Sequence, residues 1–198
     1  EAGLGKSRLI AEGRDTVALD PTYQLQWFEG RSLSYEATTP FAPFIDLIGG
    51  CFGFQPGQSD TEKYTLIKDR LEQLFGEQGE QMTPFLASLF SLPIPDPDAE
   101  RVRFLEPPML RVGIFSHTTA LVERLAGDQP LVFVLDDVHW IDPTSLDLLE
   151  SLLPLTERVP LLIIASFRPR RQEPSWHVHE LAQRDYAHRY TSISLQPL

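Results

Sequence analysis

A short apolar run near the middle of the chain most limits what it can fold into. Leu131-Val132-Phe133-Val134-Leu135 is continuous and rich in branched residues, and it stops abruptly at Asp136-Asp137. A run of this kind reads as a strand buried on both faces of a parallel sheet. Leu161 to Phe167 is a second one. Segments of helical periodicity separate the runs, and this alternation predicts an α/β fold with a doubly wound, mainly parallel sheet. The two carboxylates fall at the C-terminal end of their strand, where open α/β sheets bind ligands.

The amino terminus supplies the other half of a site. Glu1-Ala2-Gly3-Leu4-Gly5-Lys6-Ser7 carries Gly-Lys-Ser, the last three positions of a phosphate-binding loop whose pattern is Gly, four residues, Gly-Lys-Ser/Thr. The opening Gly would lie one residue before Glu1, so the chain reads as a fragment that starts just after the first strand of its sheet. Glycines let backbone N–H groups converge on phosphate oxygens, and the following helix turns its positive end toward the same anion. Lys6 can reach the β- and γ-phosphates, and the Ser7 hydroxyl can ligate Mg²⁺. Asp136 is assigned to the metal, and Asp137 to orienting or deprotonating an attacking water. The implied ligands are ATP and Mg²⁺.

Bulk properties narrow the classes further. A length of 198 residues suits one α/β domain with a helical insert, and no second domain is expected. Hydrophobic residues make up 42%, enough for a packed core. The net charge is −11 with no basic stripe, so direct contact with nucleic acid is not expected of this segment. No apolar run approaches the roughly 20 residues of a membrane span. The lone Cys51 sits in an apolar stretch and reads as a buried structural thiol; a reducing cytoplasm is the expected compartment.

Along the chain, a first helix follows the loop, and Tyr23 to Phe28 alternates like a strand. A helix is expected over about Phe41 to Phe52. An amphipathic one carries Tyr64, Ile67, Leu71, Leu74 and Phe75 at helical spacing, and a short one spans Thr83 to Phe90. Leu92 to Asp98 holds three prolines and must be loop. From Ala99 to Gly127 the pattern is helical, with Pro107-Pro108 expected to kink or split it. Helices near Ser145 to Pro154 and Trp176 to Asp185 flank the second buried strand, and Tyr190 to Leu195 is read as a last strand. The block from about 41 to 127 exceeds a simple crossover and reads as a helical insert.

Five ordered blocks together resemble one family: Glu1 to Leu9, Gly30 to Tyr35, Thr39 to Phe44, Val134 to Asp142, and Ala165 to Pro169. The chain is similar to the AAA-type P-loop ATPase domain of the STAND class. Such domains sit in adenylate/guanylate cyclase-associated and LuxR-type bacterial regulators. The resemblance implies a nucleotide switch that binds ATP or ADP, hydrolyses slowly, and sets how sensor and output domains of the same polypeptide act. It also allows a homo-oligomer. By this likeness Gly3, Leu4, Gly5, Lys6, Ser7 and Arg8 hold the nucleotide, Ser7 and Asp136 the metal, and Asp137 acts on water. Arg168 lies where such proteins place an arginine that senses the γ-phosphate; pairing with a carboxylate is the ordinary alternative for it. The resemblance also puts the missing first strand between the Leu161–Phe167 and Tyr190–Leu195 strands. The chain alone is therefore expected to bind ATP weakly. A P-loop phosphotransferase and a scaffold that no longer hydrolyses are the competing readings.

Overall fold

The structure is a computed structural model that describes residues 4–20 and 22–196. Helix α1 (Lys6–Leu19) leads to strand β1 (Gln26–Arg31). A helical block follows: α2 (Ala42–Cys51), α3 (Asp60–Phe75), α4 (Glu77–Leu89), α5 (Glu100–Arg103) and α6 (Pro107–Asp128). Then come β2 (Leu131–Asp136), α7 (Pro143–Leu152), β3 (Leu161–Ala165) and α8 (Pro174–Asp185). The strands form one parallel sheet in the order β1-β2-β3.

Strand β2 is the middle strand, and Leu131 to Leu135 are all buried, as a run with no polar face requires. Its pairing also sets where β1 lies. Gln26 pairs with Leu131 and Arg31 with Asp136, so the strand runs three residues beyond the expected Tyr23–Phe28 segment. Tyr23 stays exposed. The alternation of apolar and polar residues marked a strand there, but the length of β2 decided which residues are paired.

The core joins the sheet to the helical block. Phe44, Leu47 and Ile48 of α2 are fully buried, and α2 packs on β1. Gly30 makes this close approach feasible, since a Cβ there would lie 1.9 Å from the Pro43 carbonyl oxygen. Helix α3 buries Tyr64, Ile67 and Leu71, as its periodicity predicts. Ser59 begins it with a capping box: its hydroxyl accepts from the Glu62 N–H while the Glu62 carboxylate accepts from the Ser59 N–H. Helix α4 starts earlier than expected. Gly76, at φ 59°, both closes α3 and opens α4, and Pro84 lies inside the helix instead of in its first turn. Pro107 and Pro108 split the next helical stretch by standing in the first turn of α6, where a missing N–H costs no helical bond. Cys51 is buried, and burial pushes its thiol pKa up, away from reactivity.

One expected element is corrected. Residues 190–196 form no strand. Their apolar–polar alternation needs an open sheet edge to become a strand, and none takes them up. Tyr190 instead turns back on α8, its hydroxyl 2.5 Å from His179 Nδ1. The sheet of the described residues therefore ends at β3, with Leu162 exposed on it. Helix α1 is also unusual, because it buries no residue at all. Polar contacts hold it: Arg14 pairs with Glu29 of β1 at 3.0 Å, and Ser7 reaches β2. Among the described residues no helix is long and apolar enough to cross a membrane.

Candidate functional site

Three parallel strands end in register, and their terminal residues create the site. Arg31 of β1 pairs with Asp136 of β2, and Leu135 pairs with Ala165 of β3, which brings Ser166 beside Asp136. The ladder continues one step beyond the strands. Ser32 N–H donates to the Asp136 carbonyl at 3.0 Å, Ser166 N–H to the Leu135 carbonyl at 2.9 Å, and Val138 N–H to the Ser166 carbonyl at 2.8 Å. Polar side chains thus converge on one end of the sheet, as expected for an open parallel arrangement.

Helix α1 delivers its first turn to this end. Gly5 precedes the helix at φ 82°, a left-handed conformation that glycine takes without strain, and its carbonyl accepts from the Leu9 N–H at 2.9 Å. The Ser7 hydroxyl then donates to Asp136 Oδ2 at 2.8 Å, across 129 positions of sequence. Leu4 and Lys6 are half-buried. Arg8 is exposed and lies along α1 against Glu12 at 3.3 Å. Gly3, also expected in this loop, falls outside the described residues.

The two aspartates have different surroundings. Asp136 takes Ser7 on Oδ2 and the Ser166 hydroxyl on Oδ1. Its Oδ1 also accepts from the Asp137 N–H at 3.0 Å. Asp137 is half-buried and sits at φ 56°, ψ 38°, an uncommon backbone position for a residue with a side chain. Arg31 donates to Asp137 Oδ2 through Nε at 3.2 Å and Nη2 at 2.9 Å. Strained backbone of this type is often found where a side chain must point at a ligand.

Arg168 follows the end of β3, half-buried, and among the described residues it has no carboxylate partner. His139, two residues after Asp137, is buried, and among the described residues neither ring nitrogen is hydrogen-bonded. Burial is the main cause that pushes its pKa down, and the nearby charges of Asp137, Arg168, Glu173 and Lys6 also act on it. The Trp140 ring lies against His139 at a tilt of 42°, with centroids 5.1 Å apart, and remains exposed. Asp142 caps α7: its Oδ1 accepts from the Ser145 N–H at 2.9 Å, with Pro143 in the first turn.

The sequence reading missed Ser166 as a site residue and had Arg31 only within the resembling Gly30–Tyr35 block. Both had a signal. Each stands at the C-terminal end of a strand, level with Asp136, and strand register would have selected them.

The spacing of Ser7 and Asp136 can be tested against Mg²⁺. Adjacent corners of an octahedron with metal–oxygen distances of about 2.0–2.1 Å stand about 2.9 Å apart. The 2.8 Å between Ser7 Oγ and Asp136 Oδ2 is an ordinary hydrogen-bond length, and it leaves the two oxygens close enough to act as neighbouring ligands of one ion. Among the described residues no group of three or more His, Cys, Asp or Glu could hold a metal alone. This is consistent with an ion that takes one or two protein ligands and completes its shell with phosphate and water. The residues present fit the ion.

Comparison with known proteins agrees with this geometry. The chain matches the AAA ATPase domain family over residues 1–164. It is 25% identical over 169 residues to an uncharacterized protein of Rhizobium meliloti (strain 1021), a match that covers 85% of this chain and 16% of that relative. The chain thus spans about a sixth of the relative's length. No solved structure matches. A glycine-led helix set against paired aspartates, on parallel strands within a family match over most of the chain, places this protein in the AAA ATPase domain family.

Proposed function

We propose that the chain is the nucleotide-switch module of a multidomain signalling or transcriptional regulator, binding ATP with Mg²⁺ and hydrolysing it slowly. The observation that carries this reading is the Ser7–Asp136 contact, which joins the phosphate-loop end of the chain to the acidic end of β2. In the proposed complex Gly3, Leu4, Gly5, Lys6, Ser7 and Arg8 surround the phosphates. Backbone N–H groups and the positive end of α1 face the anion, and the Lys6 ammonium reaches the β- and γ-oxygens. Ser7 and Asp136 hold the metal, which when bound neutralises charge developing on the phosphates.

Asp137 orients the attacking water. Its carboxylate bonds Arg31, whereas that of Asp136 takes Ser7 and Ser166, so the two acids can serve different partners. Arg168 stands ready for the γ-phosphate, since a guanidinium without a carboxylate partner can turn to an anion at little cost.

The wider reading follows the family and the length of the Rhizobium relative. This domain is taken as a P-loop ATPase domain of the STAND class, with a doubly wound sheet completed by a strand upstream of the loop. It works in the cytoplasm beside sensor and output domains of the cyclase-associated or LuxR-type kind, with ATP or ADP as its switch state and assembly through copies of itself. Two substitutions in the full-length protein test it. Lys6→Ala should abolish ATP binding in calorimetry, whereas Asp137→Asn should bind normally and lose hydrolysis in a phosphate-release assay. Unchanged hydrolysis in Asp137→Asn would remove the assigned water-activating residue.

A further inference from the structure

Asp137 has two carboxylate oxygens, and only one of them is engaged. Both Arg31 hydrogen bonds end on Oδ2. Oδ1 faces His139 Nδ1 at 3.8 Å, about 0.9 Å beyond an ordinary N–H···O bond. The His139 side chain is 2% exposed, and neither nitrogen has a partner among the described residues. A buried imidazole with both nitrogens unpaired is costly, and such groups normally acquire a partner in the working state. Here the nearest carboxylate oxygen is one that a small rotation of Asp137 would bring into reach. Arg31, by contrast, is exposed and holds Asp137 from the solvent side.

We propose that His139 is a positioning residue for Asp137: its ring N–H takes Oδ1 from the buried side and fixes the direction of the carboxylate when nucleotide is bound. The inference rests on the reading that Asp137 acts on water. Burial keeps the ring neutral, so it carries a single N–H. Donating that proton's hydrogen bond to Asp137 sets the tautomer, and no proton is transferred. Burial of the ring, with Trp140 against it at a tilt of 42°, limits its rotation.

The test uses full-length protein with wild-type sequence, Asp137→Asn, His139→Asn and His139→Leu. His139→Asn keeps an N–H near the Nδ1 position, while His139→Leu keeps bulk and removes the donor. ATP hydrolysis and the binding of a fluorescent ATP analogue are measured for each. His139→Leu should lower kcat about 10- to 100-fold, the loss expected when a reacting group is misplaced by about 1 Å. KM and the analogue Kd should stay within about twofold, because binding is untouched. His139→Asn should recover most of the lost kcat.

Unchanged kcat in His139→Leu overturns the proposal. So does an equal loss in His139→Asn and His139→Leu together with weakened binding, which would mean that the ring only supports the fold. If Asp137→Asn abolishes hydrolysis while His139→Leu has no effect, this inference alone fails. If Asp137→Asn hydrolyses like wild type, the reading of Asp137 fails and the inference falls with it.

Discussion

Substituting the same side chain at two glycines should move stability in opposite directions, and the structure says which way for each. At Gly30 an added Cβ meets the Pro43 carbonyl oxygen at 1.9 Å and the Leu47 Cβ at 3.2 Å. An ordinary carbon–oxygen contact is about 3.3 Å, so the start of α2 must retreat by more than an ångström from β1. Overpacking of this kind costs about 1–3 kcal/mol, and the blocking atom is backbone, which puts Gly30→Ala at the upper end. At about 2–4 °C per kcal/mol for a chain of this size, the melting temperature should drop by roughly 5–10 °C. Gly13 lies inside α1, and a Cβ there meets nothing within 4 Å. Gly13→Ala should therefore stabilise by about 0.5–1 kcal/mol through helix propensity and a more restricted unfolded chain. Urea unfolding followed by circular dichroism measures both. Gly30→Ala should have a second effect, because Arg31, the next residue, holds Asp137. Equal stability changes for the two variants would refute the claim that close α2–β1 contact fixes the C-terminal end of β1.

Three further outcomes are expected. His117 lies against Phe85 at a ring tilt of 45°, half-buried, and desolvation lowers its pKa below the ordinary 6.5. The unfolded chain therefore binds this proton more readily, so stability is full above about pH 6.5 and falls as pH drops toward the lower folded value. A pH series of urea midpoints from 7.5 to 5 should show the loss, and His117→Gln should reduce it. Asp142→Ala removes the acceptor for the Ser145 N–H and should cost about 1 kcal/mol in chemical denaturation. Ser59→Ala should cost a similar amount, about 1 kcal/mol, by opening the capping box of α3, and the two losses should add because they cap different helices.

The fold was legible wherever a segment's own pattern decided its fate. Leu131 to Leu135 had no polar face to offer, so only a buried strand suits them. Leu161 to Ala165 is also a strand, but it lies at the sheet edge with only Leu161 buried. Tyr64, Ile67 and Leu71 share one face of α3 whatever packs on it. Elements failed where a partner decides. The alternation at residues 190–195 equals that of many strands, yet pairing needs an available edge, and Tyr190 is held by His179 instead. β1 was found but misplaced by three residues, because its ends are fixed by β2. Helix α4 was read late, since Gly76 and Pro84 both signal breaks, and here the chain uses the first as a joint and absorbs the second.

The site divides in the same way. Ser7 and Asp136 are marked by motif, and the structure brings them together. Ser166 and the full role of Arg31 depend on strand register, a property of the sheet that neither segment carries alone. His139 was visible in sequence only as a neighbour of the acidic pair. Its burial without a partner is a fact of packing.

The central claim is that Ser7 and Asp136 form one Mg²⁺ site for a bound triphosphate. Calorimetric titration of ATP into the full-length protein, with Mg²⁺ and with chelator, tests it through Ser7→Ala, Asp136→Asn and the double variant. The account predicts that each single substitution removes most of the Mg²⁺-dependent part of the affinity and that the double variant loses little more than either. Independent, additive losses, or an affinity that ignores Mg²⁺ in the wild type, would contradict it.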